Sequence, residues 1–214
     1  MTAGFIVTGT NTGIGKTVFS AALAGALGGY YWKPVQSGLD GETDSGTVKR
    51  LSGLPAQHIL PEAYRFKLPA SPHIAAARED ITIEPGLLAL PQCDGPLVIE
   101  GAGGLLVPLS ARLLQIDLFA SWRLPVILCA GTALGTINHT LLSLEAVAKR
   151  NMRVHGIAFI GDPDEDVENT IAAFGSVRRL GRMPFIQPLN ADRLAQAFRD
   201  NFRLAEFAEN RRHD

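Results

Sequence analysis

The sequence predicts an α/β protein in which helices cover both faces of a mostly parallel β-sheet. Short, β-rich apolar segments alternate along the chain with longer helical segments. The strand segments are continuously apolar, which is typical of strands that are buried on both faces of a sheet. A glycine-rich segment also separates the first predicted strand from the first predicted helix. Since 214 residues suit one domain, we expect a single layered domain over residues 1–214.

The N-terminal half begins this alternation. Residues 5–7 (Phe-Ile-Val) predict a strand, and the alanine- and leucine-rich residues 18–27 predict a helix. Residues 30–34 predict a short strand, and residues 96–100 (Pro-Leu-Val-Ile-Glu) predict a buried one. Because helices separate these strands, we expect the strands to run parallel.

The C-terminal half continues in the same way. It contains, in order, a predicted strand at 126–129, a helix at 138–150, a strand at 154–160, a helix at 166–174 and a helix at 190–208. The acidic residues 162–166 are expected to start a helix, because carboxylates complement the positive end of the helix dipole.

The composition argues against several classes of protein. Twenty basic and 21 acidic residues leave a formal net charge of −1, which argues against a non-specific nucleic-acid binder. Two cysteines, Cys93 and Cys129, cannot form a disulfide framework and have no neighbours at metal-ligand spacing. We therefore expect both to be core thiols.

Residues 124–144 carry no charge and are long enough to be considered as a membrane span. Proline, glycine and polar residues interrupt this stretch, so it is better interpreted as a buried strand, a loop and a helix. The chain also starts without the charged segment and long apolar segment of a signal peptide. We expect a cytoplasmic protein that contacts no membrane.

The glycine-rich segment has the pattern of a phosphate-binding loop (P-loop). Backbone N–H groups of such a loop and of the following helix bind phosphate oxygens, the lysine reaches the β- and γ-phosphates, and a hydroxyl ligates Mg²⁺. The spacing between the outer glycines is five residues instead of the common four, and the alternative is a turn that binds nothing. We predict that the nucleotide is bound by Asn11, Thr12, Gly13, Ile14, Gly15, Lys16 and Thr17, together with Glu100, Gly101 and Gly103 from a second strand end.

Two acidic residues are candidates for binding the metal ion. Glu100 ends a predicted buried strand beside the P-loop strand, which is where a Walker B carboxylate lies, and Gly101 and Gly103 follow it. The alternative is a carboxylate that caps its own glycine-rich turn. Asp44 lies in a polar segment and could equally be only a helix N-cap. No GTPase switch motif and no basic surface are visible, so a small-molecule kinase or an ATP-driven ligase remains.

Several further blocks match one family. The chain resembles dethiobiotin synthetases, ATP-dependent carboxylases that close the ureido ring in biotin synthesis, and the five-residue P-loop spacing is itself a trait of that family. The matching blocks occur in family order, at residues 7–12 with 15–17, 33–38 (Lys-Pro-Val-Gln-Ser-Gly), 71–73 (Ser-Pro-His), 100–104 with 108–109, 124–128 and 134–139.

The resemblance implies a P-loop fold, a homodimer and a reaction. In the family, one amino group of 7,8-diaminononanoate is carbamylated by CO₂ and ATP phosphorylates the carbamate. The second amine then closes the ring with loss of phosphate, giving dethiobiotin and ADP.

The resemblance also implies roles for individual residues. A carbamate and a triphosphate in one pocket require cations, for which the candidates are Lys16, Lys33 and Mg²⁺. Lys33 matches the carbamate-binding lysine of the family, Ser37 can donate a hydrogen bond to the carbamate, and Thr12 can contact substrate or phosphate. The metal set of the family maps onto Thr17, Asp44 and Glu100.

The carboxylate tail of the substrate needs an anion site away from the phosphates. Residues 135–138 open a predicted helix, and free N–H groups at a helix start suit a carboxylate. These residues are Gly135, Thr136, Ile137 and Asn138, and in the family this segment comes from the neighbouring subunit. An ordinary Asn N-cap at this position is compatible with that role.

One departure puts the choice of nucleotide in doubt. The family often has an asparagine that contacts the adenine edge where this chain has Ile160 or Gly161. Base recognition would then depend on backbone groups, on residues 181–189, or on few contacts of any kind. Two rival functions are an amidoligase of the cobyrinate-amidase type, for whose glutaminase domain the chain has no room, and a partition-type switch ATPase. The latter usually carries a second P-loop lysine, where this chain has Thr10 and Asn11.

Overall fold

A computed structural model describes residues 4–208. Within these residues, the main sheet has seven strands in the order β4-β2-β6-β1-β7-β8-β9, and every pairing is parallel. A second, two-stranded parallel sheet pairs β3 with β5. The strands are β1 Gly4–Gly9, β2 Tyr30–Trp32, β3 Val35–Ser37, β4 Ile59–Leu60, β5 Tyr64–Phe66, β6 Leu97–Gly104, β7 Val126–Gly131, β8 Val154–Ile160 and β9 Arg179–Met183.

Helices cover both faces of the main sheet, as the sequence predicts. They are α1 Lys16–Leu27, α2 Asp44–Leu51, α3 Pro72–Arg78, α4 Gln115–Trp122, α5 Thr136–Ala148, α6 Glu165–Gly175, α7 Ala191–Asn201 and α8 Leu204–Ala208. Two short 3-10 helices lie at Ala56–His58 and Pro85–Leu88. The core on one face packs strand residues such as Phe5 and Val7 against α1, α2, α7 and α8. On the other face, Ile6 and Ile99 pack against α4, α5 and α6.

Neighbouring positions along β1 therefore supply opposite cores, which is the period-two geometry of a strand buried on both faces. Because β1 lies between β6 and β7, its carboxyl end is central in the sheet. The register pairs Val7 with Glu100 on β6, so the P-loop that follows β1 begins beside Glu100. The topology thus brings two distant segments of the sequence together.

The structure corrects four of the predicted details. The helix predicted at residues 190–208 is two helices, because Phe202 has an extended backbone between α7 and α8. Asp44 is the first residue of α2 and not its N-cap, which is Thr43, whose side chain accepts from Gly46 N–H. The strand predicted to end at Glu100 continues to Gly104. Cys93 is half-buried, whereas Cys129 is in the core as expected.

Other expectations agree with the structure. The acidic segment does start a helix, since the Asp164 carboxylate caps α6 by accepting from Val167 N–H at 3.0 Å. The uncharged stretch at 124–144 contains β7, a loop and the first part of α5. Across residues 4–208, no helix is long and apolar enough to cross a membrane.

Candidate active site

The P-loop connects β1 to α1 in a conformation that depends on its glycines. Gly13 and Gly15 have φ of 75° and 96°, a left-handed backbone that glycine adopts without the strain a side chain would bring. A Cβ on Gly9 would lie 2.6 Å from Ile14 Cγ2, so the first glycine allows a close approach. The Lys16 ammonium is nearly buried and donates to the Asn11 carbonyl at 3.1 Å. The loop is therefore closed around the start of α1.

The Asn11 side chain forms a hydrogen bond within the P-loop. Its Oδ1 accepts from Thr12 N–H at 2.8 Å, which holds the turn that presents Thr12. The remaining predicted nucleotide-binding residues of the loop lie at the start of α1, where backbone N–H groups are free of helical partners.

Three of the predicted residues meet in one place beneath the loop. Thr17, the second residue of α1, has its Oγ1 2.9 Å from Asp44 Oδ1 and 2.8 Å from Glu100 Oε1. A hydroxyl has one proton, so it donates to one carboxylate at a time and keeps lone pairs for another ligand. These residues come from α1, α2 and β6, which are far apart in the sequence.

Lys33 binds the same two carboxylates. It directly follows β2, is 3% exposed, and its Nζ lies 2.7 Å from Asp44 Oδ2 and 3.2 Å from Glu100 Oε1. The ammonium also donates to the Gly101 carbonyl at 3.1 Å. Glu100 is 1% exposed, and such a buried carboxylate requires a nearby cation and hydrogen-bond donors. Lys33 is therefore held inside the site and is not a solvated surface lysine.

The pKa values of the cluster follow from burial and from these charges. Burial lowers the pKa of Lys33, but the charges of Glu100 and Asp44 outweigh it, so its pKa is raised. Burial raises the pKa of Asp44, but Lys33 and Thr17 outweigh it, so that pKa is lowered. Burial, helped by the charge of Lys33, lowers the pKa of Lys16. Lys33 and Asp44 therefore form a charged pair at neutral pH.

A cleft of about 360 Å³ opens beside this cluster, and we call it the substrate cleft. Its polar lining includes Thr12 from the P-loop, Lys33, Ser37 from the end of β3, and Asp44. The other lining residues are Val35, Gln36, Pro69, Ala70, Ser71, Pro72, Ala102, Gly103 and Val107. The cleft thus joins the P-loop to the predicted carbamate-binding residues.

One hydroxyl in the cleft is unsatisfied. Ser37 Oγ is buried and has no hydrogen-bond partner among the residues that the structure describes. Since buried hydroxyls are nearly always hydrogen-bonded, this atom indicates a polar ligand in the cleft.

Sequence reasoning missed two glutamines that hold the walls of the site. Gln36 Oε1 accepts from Asp44 N–H at 3.2 Å and so fixes the start of α2. Gln115, the first residue of α4, accepts from Ala102 N–H and donates to the carbonyls of Ala102 and Gly104. Gln36 lies within the Lys33–Gly38 block, and that position was the available signal. Nothing in the sequence indicated Gln115, because its partners are found only in the folded chain.

A second pocket, of about 250 Å³, lies on the other side of the P-loop, and we call it the base pocket. It is lined by Gly13, Ile14, Gly15, Val18, Ile160, Met183, Pro184, Phe185, Ile186, Gln187 and Leu189. Most of these side chains are apolar, and Gln187 is the one lining side chain with an amide. The pocket contains Ile160 and most of residues 181–189, the segment that the sequence analysis named as one candidate for base recognition.

The predicted carboxylate site lies apart from both cavities in this single chain. Gly135 has φ of 94° and precedes α5, and the Thr136 hydroxyl donates to the Gly131 carbonyl at 2.8 Å. Asn138 is exposed and lies inside the first turn of α5, so it is not the N-cap. None of residues 135–138 lines the substrate cleft of its own chain.

The donor set suits Mg²⁺ bound together with a nucleotide. Within residues 4–208, no group of three or more His, Cys, Asp or Glu side chains could hold a metal by itself. Mg²⁺, however, is usually bound by one or two carboxylates, phosphate oxygens and water. Thr17, Asp44 and Glu100 supply such a partial set of hard oxygen ligands.

Comparison with known proteins gives a consistent result. A family model described as an AAA domain matches residues 3–193. An ATP-dependent dethiobiotin synthetase BioD of Rhodopseudomonas palustris (strain BisA53) is 62% identical over 202 residues, which cover 94% of this chain and 95% of that protein. The protein of the same name from Agrobacterium fabrum is 59% identical, with 98% of this chain and 99% of that protein covered. This chain belongs to the ATP-dependent dethiobiotin synthetase family.

Solved structures support the fold independently of this family. A ParA family ATPase from Chlorobium tepidum matches with a TM-score of 0.58 over 98% of this chain and 90% of the other, at 12% identity. The MinC:MinD complex of Aquifex aeolicus gives a TM-score of 0.52 over 91% and 86%, at 11% identity. At such identities the likeness concerns the fold alone. The family membership, in contrast, agrees with the synthetase and not with the amidoligase or the switch ATPase.

Proposed function

We propose that this protein carboxylates 7,8-diaminononanoate with CO₂ and closes the ring to dethiobiotin, with conversion of ATP to ADP and phosphate. The observation that carries this proposal is the substrate cleft, in which Lys33 and an unsatisfied Ser37 hydroxyl lie beside Thr12 of the P-loop. A carbamate on one side of such a cleft can meet a γ-phosphate on the other. The family membership supports the same reaction.

Lys33 and Ser37 would bind the carbamate. The Lys33 ammonium already lies at the cleft wall and remains protonated at neutral pH, because its pKa is raised by Glu100 and Asp44 despite burial. Its three N–H donors now face Asp44, Glu100 and the Gly101 carbonyl, so it would donate to a carbamate oxygen by exchanging one of these acceptors. Its charge would offset the negative charge that develops during phosphoryl transfer. Ser37 Oγ can donate a second hydrogen bond. A neutral amine can attack CO₂ unaided once both are positioned, so no strong base is needed.

The P-loop would bind the triphosphate. Lys16 can turn from the Asn11 carbonyl to the β- and γ-phosphates, while N–H groups at the start of α1 donate to phosphate oxygens. Thr12, which lines the cleft, can contact either the transferred phosphoryl group or the substrate. Catalysis then consists of positioning and charge neutralisation.

Thr17, Asp44 and Glu100 would hold Mg²⁺ against the phosphates. The metal ion would supply further positive charge for phosphoryl transfer when bound. Gly103 would let the backbone after Glu100 approach the phosphates, whereas Gly101 lies against α4, where a Cβ would be 2.8 Å from Phe119 Cζ and 2.9 Å from Gln115 Nε2. A Cβ on Gly103 would lie 3.1 Å from Thr12 Oγ1, so this glycine leaves room for the P-loop threonine.

The base pocket would hold the nucleotide base. Its apolar lining, with Ile14 below and Phe185 at the rim, suits a flat aromatic ring. We propose ATP as the substrate, with base selectivity limited by the scarcity of polar side chains in the pocket.

The working enzyme would be a homodimer with its sites at the interface. Residues 135–138 would reach the substrate cleft of the neighbouring subunit, where the N–H groups at the start of α5 would bind the substrate carboxylate. Three large apolar side chains on this part of the surface are exposed, namely Leu134, Leu142 and Phe174, and a dimer would bury them. We place the enzyme in the cytoplasm, where ATP, CO₂ and Mg²⁺ are supplied.

The test measures ATP turnover with and without 7,8-diaminononanoate and bicarbonate, and identifies the product by mass spectrometry. We expect phosphate release that requires both additions and a product with the mass of dethiobiotin. A switch ATPase would hydrolyse ATP regardless of both additions, and that result would refute the proposed function.

A further inference from the structure

Tyr31 lies next to the carboxylate cluster but outside the substrate cleft. It is the central residue of β2, is 0% exposed, and its hydroxyl donates to Glu100 Oε2 at 3.0 Å. It touches neither cavity of the site. Any influence of Tyr31 on the active site must therefore act through Glu100.

The sheet register explains how the two side chains meet. Tyr31 pairs with Val98 on β6, and Glu100 is two residues further along the same face. Diagonal neighbours of this kind on adjacent strands lie within reach of a long side chain. A tyrosine at this register position is thus aimed at the carboxylate, and a smaller side chain there could not reach it.

The two carboxylate oxygens of Glu100 have different hydrogen-bond partners. Oε1 faces Thr17 and Lys33, at 2.8 and 3.2 Å, whereas Oε2 has the Tyr31 hydroxyl. The phenol O–H is the donor of this pair, because a carboxylate oxygen can only accept. The carboxylate is thereby fixed in one rotation about its Cγ–Cδ bond.

We propose that Tyr31 is a positioning residue that keeps Glu100 Oε1 directed at Thr17 and so prepares the metal site for the Mg²⁺-bound nucleotide. This inference rests on the proposed role of Glu100 in metal binding and extends it to a residue of the core. Partners behind a metal ligand orient it, and their loss typically weakens metal affinity or activity about 10- to 100-fold.

The main variant is Tyr31→Phe, which removes the hydroxyl and keeps the ring in the core. The matched control is Tyr30→Phe on the same strand, because the Tyr30 ring stacks on His58 at 4.3 Å, away from the site. Mn²⁺ serves as the probe, titrated into the protein with a non-hydrolysable ATP analogue and followed by electron paramagnetic resonance.

We expect about 10-fold weaker Mn²⁺ binding in Tyr31→Phe and an unchanged affinity in Tyr30→Phe. In turnover, the Mg²⁺ concentration for half-maximal rate should rise, while kcat at saturating Mg²⁺ stays close to that of wild type. A thermal unfolding midpoint is measured for each variant. A lowered midpoint with unchanged Mn²⁺ affinity would mean a purely structural tyrosine and would overturn the inference.

Glu100→Gln separates this inference from the proposed function. If Glu100→Gln loses Mn²⁺ affinity while Tyr31→Phe matches the control, the Tyr31 inference alone fails. If Glu100→Gln binds Mn²⁺ as wild type does, the metal role of Glu100 fails and the inference falls with it. In the supporting case, adding Tyr31→Phe to Glu100→Gln causes little further loss, because both changes act through one group.

Discussion

At the scale of single residues, Lys33 and Lys16 differ in the groups that their ammonium groups contact. Lys33 compensates two carboxylates, of which Glu100 is almost fully buried, whereas Lys16 donates to a backbone carbonyl. Removing one partner of a buried ion pair is destabilising because it leaves an uncompensated charge. We therefore expect Lys33 to contribute to stability as well as to the proposed catalysis, of which the sequence indicated only the second.

The lysine variants test this difference. Lys16→Ala and Lys33→Ala should each lower kcat at least about 100-fold, because a donor to developing charge is worth ~3 kcal/mol or more. Lys33→Ala should also lower the free energy of unfolding by about 3 kcal/mol, and Lys16→Ala by clearly less. Steady-state kinetics and urea denaturation of both proteins provide the measurements. A folded Lys33→Ala protein with near-normal kcat would remove Lys33 from the mechanism.

The pH dependence of stability tests the Lys33–Asp44 pair. The lowered pKa of Asp44, for which Lys33 and Thr17 outweigh burial, means that its contribution is present above its unfolded value of about 3.9 and is lost as pH falls through the folded value. The raised pKa of Lys33, for which the two carboxylates outweigh burial, means that its contribution is complete below about 10.4 and is lost only above it.

Denaturation of wild type and Asp44→Asn should therefore differ by a constant amount between about pH 5 and pH 9, on the order of 1–3 kcal/mol. The difference should begin to shrink below about pH 4, where Asp44 of the unfolded state becomes protonated, and should be lost only once pH has also fallen through the lowered pKa of the folded state. A difference that changes steadily across neutral pH would show that another group titrates there.

At the scale of secondary-structure elements, the sequence predicted the helices and strands whose residue pattern is local. β8 lies at residues 154–160 as predicted, and α1 begins within the predicted P-loop motif. β3 and β5 were missed because three-residue strands are too short to show a period. The break at Phe202 was missed because this side chain is 5% exposed and packs in the core between α7 and α8, so the apolar pattern continues through it.

The same distinction, between features with a local sequence pattern and features that depend on long-range contacts, applies to the residues of the site. Its P-loop and Glu100 could be predicted because the P-loop follows a recognisable strand and Glu100 lies within another. Tyr31 and Gln115 could not, because a strand register or a contact between β6 and α4 positions them, and a single sequence does not specify either. From the residues alone, the sequence could likewise not tell whether Asp44 is a helix cap. The structure shows that Thr43 is the cap of α2, and the metal role of Asp44 stays a prediction.

In the proposed function, the segment between β9 and α7 would determine base selectivity. A pocket built to hydrogen-bond a ligand rejects an analogue about 10⁴-fold or more, whereas an apolar pocket discriminates only about 10- to 200-fold. Because the base pocket is mainly apolar, GTP and CTP should support turnover with kcat/KM within about 100-fold of ATP. Phe185→Ala, at a side chain that is 72% exposed, should raise KM for all three nucleotides by a similar factor. A preference for ATP above about 10³-fold would show that backbone groups read the base.

At the scale of the whole molecule, the substrate cleft of one chain is lined by Thr12 of the P-loop and by the proposed carbamate-binding residues Lys33 and Ser37, but by no part of residues 135–138. The same chain exposes Leu134 completely and Phe174 largely, at 107% and 78%. A two-fold dimer that buries these side chains could carry the start of α5 to the neighbouring cleft, since such an interface uses the same surface of both subunits.

Mixing two inactive variants tests whether each site is built from two chains. One variant is Lys16→Ala, and the other is Asn138→Trp, a bulky block at an exposed position of α5 that avoids the left-handed backbone of Gly135. A mixed dimer has one site with both defects and one with neither. Random exchange makes half of the dimers mixed, so activity should return towards about one quarter of wild type. Sedimentation first establishes that each variant dimerises. Verified mixed dimers without recovered activity would mean that each chain binds the substrate carboxylate in its own site.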